Sequence, residues 1–411
     1  MFGPVASMHA ALETLDVGMP CGVVARFRDR TVIEIENAIE AACRHFPILE
    51  RRIEWENGRP VLVRTDLTFR QARSTEISLG FQSNRSGPLW RYCLIADAGD
   101  VWLCAIWAHA AADGTSMLRL LETIGSTLGG KAALLCSPSR GPDRPRRIGM
   151  VRWVPRFLAE QYLPYVRPLN TGSAHPGVSW LTIPIACSNS LLENARSECG
   201  SIAAWLAGAV CLAFCEQHGT RGGRVLVNLP ILRDDLQRSG GFGCGVGTML
   251  IPVRVKPNWT LPSIARRIEG RLKAMIAQGW DINFDRFLGN NPRRHLRFAT
   301  ACVRGRATPV ISISWKGMAW QLGGEEGIHD VACFAMSPLA HVSAHLDQNG
   351  LSLSVASSHP AIQRDKLLLR IAQWLGDTAT RDVRTFDGRV LATAGSDRRR
   401  RELVANITEA I

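Results

Sequence analysis

The sequence predicts an α/β protein built from two halves of similar construction. Three observations carry this reading. Apolar residues recur at helical spacing in some segments and run without interruption in others, the two kinds of segment alternate, and a stretch rich in Gly, Pro, Ser and Arg interrupts the alternation before its middle. At about 150 residues per domain, a chain of 411 residues has room for two to three domains. Its 46% apolar and 21% charged content excludes disordered, collagen-like and coiled-coil chains.

Residues 32–45 set Ile35, Ile39, Ala42 and Phe46 three and four positions apart, which predicts an amphipathic helix ending near Pro47. Asn57-Gly58 lies between two apolar-containing runs and predicts a hairpin, because both residues tolerate positive φ. Residues 101–108, VWLCAIWA, are apolar throughout and fit a strand covered on both faces. After a short polar break, Met117, Leu120, Leu121, Ile124 and Leu128 mark one face of a helix that begins near Gly114. Residues 129–147, GGKAALLCSPSRGPDRPRR, are the best linker candidate and put a domain boundary between about 130 and 178. The second half repeats the alternation, with helices over 189–198, after Ser201, over 261–277 and over 361–376. Strands fall in RVLVNLPI, GVGTMLIPVRV and VISIS, and a hairpin turns at Asn349-Gly350. The chain therefore divides into 1–165, 166–392 and a basic tail, 393–411.

No stretch approaches the ~18 consecutive apolar residues of a membrane span, and the start lacks the basic region and apolar run of a signal peptide, so a cytoplasmic protein is expected. The 12 cysteines include no C-x-x-C pair and often sit in apolar runs, which reads as buried thiols in a reducing compartment. The formal charge of +13 is carried almost entirely by arginine, which suits phosphate and carboxylate groups and points to an acidic partner; solubility accounts for the same charge equally well. No nucleic-acid motif occurs, and none of these partners is expected to be nucleic acid.

The segment Trp107-Ala108-His109-Ala110-Ala111-Ala112-Asp113-Gly114 carries most of the chemical information. His109 leaves a buried strand and precedes a helix, on a connection where side chains reach clefts, and an imidazole there can act as general base. A structural histidine fits the same position. Asp113 either caps the following helix or pairs with an arginine to fix the loop. His341 and His345 are four apart, but the stretch alternates like a strand and has no Glu after His341. It is therefore no zinc motif; His341, Ser343 and His345 share a strand face instead. No metal site is expected. GGFGCGVG lacks the context of a nucleotide loop. Residues 151–166, VRWVPRFLAEQYLPYV, read as a connector packed between the halves or as a membrane-surface segment. Arg398–Arg401 read as a solvated charge run.

AHAAADGTS resembles the H-H-x-x-x-D-G motif of the thioester-dependent acyltransferase superfamily: condensation domains, polyketide-associated acyltransferases, alcohol acetyltransferases and wax ester synthases. AIEAACRHFPILERRI, GPLWRYCLI, RVLVNLPILRDD, GFGCGVGTMLIPV and ISISWKG resemble further segments of that superfamily, in its order, from residue 10 to 376. The resemblance implies two chloramphenicol-acetyltransferase-like subdomains in a V shape with a tunnel between them. It implies an acyl-CoA or phosphopantetheinyl carrier protein as co-substrate, no tightly bound cofactor, and a hydroxyl or amine acceptor, small or lipidic. A monomer with peripheral membrane contact fits this picture. His109 then matches the second motif histidine, general base or orienter, and Asp113 and Gly114 match the structural pair that follows. The chain departs from the pattern at Ala108, the first motif position, and at Glu50, which makes Arg51 the expected partner of Asp113. It departs again at Cys244 and Trp315, where relatives carry Asn. Cys244, Ser314, Trp315, Gly317, His341 and His345 are the expected substrate-lining residues. The end of the chain also resembles the connector that follows a condensation domain. The altered motif leaves a second possibility open, a silent domain that binds a carrier protein.

Overall fold

The computed structural model describes residues 9–10, 20–56, 59–64, 72–74, 76–78, 88–130, 149–161, 165–166, 176–220, 222–232, 246–288, 310–318, 327–337, 339–377, 382–387 and 389–391. In the first half it contains β1 (Cys21–Phe27), α1 (Val32–His45), β2 (Arg51–Glu56), β3 (Arg59–Arg64), β4 (Glu76–Ser78), β5 (Trp90–Asp97), β6 (Asp100–Trp107), α2 (Gly114–Leu128) and α3 (Met150–Gln161). The second half begins with β7 (Gly177–Pro184), α4 (Ile185–Cys199), α5 (Ile202–Gln217), β8 (Gly223–Asn228), β9 (Ile231–Leu232), β10 (Val246–Gly247), β11 (Leu250–Val255), α6 (Leu261–Ala277) and α7 (Trp280–Leu288). It closes with β12 (Val310–Met318), β13 (Ile328–Ala335), β14 (Ala340–Leu346), β15 (Gly350–Ser357), α8 (Arg364–Trp374), β16 (Arg384–Asp387) and β17 (Arg389–Leu391).

Local chemistry sets several of these limits. Thr31 caps α1 through a capping box, accepting from the Glu34 amide at 3.3 Å while Glu34 accepts from the Thr31 amide at 2.8 Å. Ser201 caps α5 by accepting from the Ala204 amide. The turn before β15 is held by Asp347, whose carboxylate accepts from the amides of Asn349 and Gly350. β2 and β3 pair as a hairpin, whose Asn57-Gly58 turn lies outside the described residues.

Two sheets organise the chain. A four-stranded sheet has the order β13-β1-β6-β5, and a seven-stranded sheet the order β11-β8-β12-β14-β15-β7-β16. Helices α1 and α2 cover one face of the smaller sheet, where Ile35, Ile39, Met117, Leu121 and Ile124 meet Val23, Phe27, Leu103 and Trp107. Its other face, with Ile95, Trp102 and Ile106, packs on Val178, Trp180, Ala356 and Phe386 of the larger sheet. The far face of the larger sheet lies on α5, α6 and α8, with α5 buried along nearly its whole length. The halves are joined by more than this contact, because β13 and β17, both beyond residue 166, pair with β1 and β4. The sequence gives β13 no mark of that destination: its short apolar run would suit a place in either sheet.

Two expectations need correcting. Cys187 is exposed and Cys199 half-buried, because α4 lies on the surface of the second half; the other seven cysteines among the described residues are buried, and all nine are free. Helix α3 does not offer its aromatic side chains to a membrane. Trp153 and Phe157 stack at 4.7 Å and pack against Trp280, Phe284 and Phe287 of α7, while Val151 and Leu158 are exposed. Among the described residues no single helix is long and apolar enough to cross a membrane. The tail 393–411, with Arg398–Arg401, and residues 131–147 of the linker candidate lie outside the described residues.

Candidate active site

The connection from β6 to α2 carries the site. β6 is buried along almost all of its length and delivers the chain to Ala108, which packs in an apolar cluster with Ala10, Ile53, Leu89, Ala110 and Ala111. Where the motif has its first histidine, this chain therefore has hydrocarbon. Asp113 is the N-cap of α2: its carboxylate accepts from the Ser116 amide at 2.9 Å and is 4% exposed. Arg51 stands exposed at the start of β2 and makes no ion pair with Asp113, so the pairing expected between them is not formed. The strand that starts after Pro47 turns its first residue to solvent, while the aspartate faces its own helix.

His109 lies between these fixed points with its ring stacked on His9, centroids 4.0 Å apart and planes 15° apart. Its Nδ1 is buried and has no hydrogen-bond partner among the described residues. Burial pushes the His109 pKa below the ordinary imidazole value, and the charge of Lys316 adds to this; the backbone of His109 and Ala112 and the Asp113 carboxylate work against it. His9 is held lower still, by burial first and then by His109. At neutral pH both rings are uncharged, so His109 has a lone pair with which to accept a proton.

The opposite wall comes from the larger sheet. Strand alternation puts Ser312, Ser314 and Lys316 of β12 on the same face as His341, Ser343 and His345 of β14, with Ser312 beside His341 and Ser314 beside Ser343 in register. Asn228 of β8 joins this row by donating from Nδ2 to Ser312 Oγ at 3.2 Å. His341, Ser343 and His345 are buried and the rest of the row is half-buried, yet the buried atoms Asn228 Oδ1, His341 Nε2, Ser343 Oγ and His345 Nε2 have no hydrogen-bond partner among the described residues. His341 is held well below the usual imidazole pKa by burial, then by the charges of Lys316 and His109. His345 sits further along, its Nε2 3.6 Å from Asp347 Oδ2.

The fold thus gathers His109, Asp113, Gly114 and His341, with Ser314 and His345 extending the row. Trp315 falls on the other face of β12, its ring against the helical core, because neighbouring residues of a strand point to opposite sides. Gly317 adopts φ +82°, where the register of β12 against β14 shifts between Trp315 and Met318, and open space lies where its Cβ would be. Cys244 lies outside the described residues. Sequence reasoning missed His9 and Lys316. Lys316 was within reach, since it alternates with Ser312 and Ser314; His9 carried no local signal. Cys333 of β13 is no nucleophile here, since burial raises its thiol to about 11 despite the Lys316 charge. Among the described residues no three His, Cys, Asp or Glu side chains are placed to hold a metal ion.

By sequence, no family model matches the chain and no curated protein matches it. Solved structures do. Polyketide synthase associated protein 5 from Mycobacterium tuberculosis superposes with TM-score 0.59 over 89% of this chain and 96% of its own, at 16% identity. This chain has the fold of the condensation domains and their acyltransferase relatives. The starter condensation domain of rhizomide synthetase, in complex with C8-CoA and Leu-SNAC, gives TM-score 0.60 at 10% identity, with 92% of each chain covered. Trichothecene 15-O-acetyltransferase from Fusarium sporotrichioides gives 0.62 at 11% identity, over 91% of this chain and 94% of its own.

Proposed function

We propose that the protein transfers an acyl group from a CoA or carrier-protein thioester to a hydroxyl or amine acceptor. The single observation that carries this is a neutral, base-competent His109 facing a polar row across the seam of two packed sheets. The likeness of fold to condensation domains and an acetyltransferase supports the class of chemistry. His109 Nε2 removes the acceptor proton as its oxygen or nitrogen bonds to the thioester carbonyl carbon. The tetrahedral intermediate then breaks its C–S bond, and the leaving thiolate takes the proton back from the imidazolium. The products are the ester or amide and the free thiol. Asp113 serves by fixing the first turn of α2 and, through its charge, by tempering the fall in the His109 pKa.

The test is thiol release from a panel of acyl-CoAs and acyl-carrier proteins offered with acceptors. Release should occur with at least one donor and fall by ~10²–10⁴ in His109→Ala, the usual worth of a positioned base. The second reading, a silent carrier-binding domain, draws on Ala108, which puts hydrocarbon where the motif has histidine. Tight carrier binding with no thiol release from any donor would establish that reading and end the first.

A further inference from the structure

Lys316 is the inward-turned cation of this centre. Its amine lies against Gly114, so closely that a Cβ at that position would run into it, and glycine is what lets the two approach. Gly114 is the first residue of the fifteen-residue helix α2, whose N-terminal end carries partial positive charge. A cation beside that end is unfavourable by itself. Lys316 is also half-buried and makes no ion pair or hydrogen bond among the described residues. The titratable groups on which its charge acts are His109, His341 and the buried thiol of Cys333, all uncharged at neutral pH, and the neighbouring Asp113 carboxylate is engaged by the Ser116 amide.

A second observation shows what the arrangement lacks. His341 is 6% exposed, its Nε2 has no partner among the described residues, and it stands on the same sheet face as Lys316. Next to it Ser343, 1% exposed, has an unpartnered hydroxyl. Asp113 already caps the α2 N-terminus, but among the described residues no acceptor engages the Lys316 ammonium or an Nε2-protonated His341 beside it. A set of donors of this kind is completed by a negatively charged oxygen.

We propose that Lys316, His341 and the α2 N-terminus at Gly114 form a binding site for an anionic oxygen of the substrate. Resting on the acyl-transfer reading, this oxygen is the oxyanion that develops on the thioester carbonyl or a carboxylate carried by the acceptor. Either source shares one chemistry, a charged oxygen on a small organic group. In the first case preorganised positive charge stabilises the tetrahedral intermediate. In the second it selects acidic acceptors.

Calorimetric titration of the full chain with butylphosphonate, a tetrahedral anion, and separately with butyrate, a planar one, tests the site without any turnover. Wild-type protein should bind at least one of them, and Lys316→Gln should weaken that binding by about tenfold or more, the usual worth of a charge-assisted contact. Lys316→Arg should weaken it less. Gly114→Ala, which displaces only the flexible end of the lysine, should mimic Lys316→Gln. In isotope-labelled protein the His109 titration midpoint should rise in Lys316→Gln, because the charge disfavouring the imidazolium is gone. Tighter binding of phosphonate assigns the oxyanion, and tighter or equal binding of butyrate assigns a substrate carboxylate. The proposal falls if wild-type protein binds neither anion, or if folded Lys316→Gln and Gly114→Ala, with wild-type thermal midpoints, bind them unchanged. Failure of the acyl-transfer reading looks different: anion binding would still depend on Lys316, but no donor would release its thiol.

Discussion

The two faces that β12 and β14 present in the seven-stranded sheet are built from opposite chemistry. On one, Ile311, Ile313, Val342, Leu353 and Val355 meet the helices; on the other, one step along the same strands, are Ser312, Ser314, Lys316, His341, Ser343 and His345. The first face gains free energy from every apolar contact it removes from water. The second gains this over β7, β15 and β16, where Val178, Trp180, Ala356 and Phe386 pack on the smaller sheet, but not over β12 and β14, where each buried unpartnered polar atom is a liability. On the acyl-transfer proposal such a face is kept for a substrate that comes and goes, and the difference teaches that burial alone does not mark a core.

The comparison can be broken by mutation and by pH. The largest effect belongs to the apolar face: Leu353→Ala should lower unfolding free energy by about 2–5 kcal/mol, measured by denaturant melts with an unchanged slope. Acid should come next. Burial lowers the pKa values of His9, His109 and His341, so the unfolded chain binds protons first as pH drops below about 6.5 and stability falls from there toward the depressed folded values. Thermal midpoints at a series of pH values should show this decline, and His341→Gln should make it shallower. The smallest effect belongs to Ser343→Ala. Removing a hydroxyl with no partner among the described residues should change stability by less than about 1 kcal/mol in either direction, read by the same melts. A loss there as large as that of Leu353→Ala would mean the polar face is an ordinary part of the core.

What the sequence made legible follows the range of each signal. Helices α1 and α2, the buried strand β6 and the hairpin of β14 and β15 were readable because their periodicity, capping and turn residues are local. The face shared by His341, Ser343 and His345 was readable from strand alternation for the same reason. Three features depend on how distant segments pack. β13 joins the first sheet by pairing with β1 across some 300 residues of chain, His9 reaches His109 from the opposite end of the half, and Lys316 finds Gly114 only when the two halves meet. Arg51 failed for a related cause: resemblance gave it a place in order, whereas exposure on β2 is decided by which side of that strand meets the core.

The central claim is that the uncharged imidazole of His109 receives the acceptor proton. Single-turnover thiol release, followed across pH with a competent donor and acceptor, tests it most directly. The wild-type rate should fall on the acid side with a midpoint below about 6.5, and that limb should vanish in His109→Ala along with most of the rate. An unchanged rate in His109→Ala, falling along the same acid limb, would contradict it.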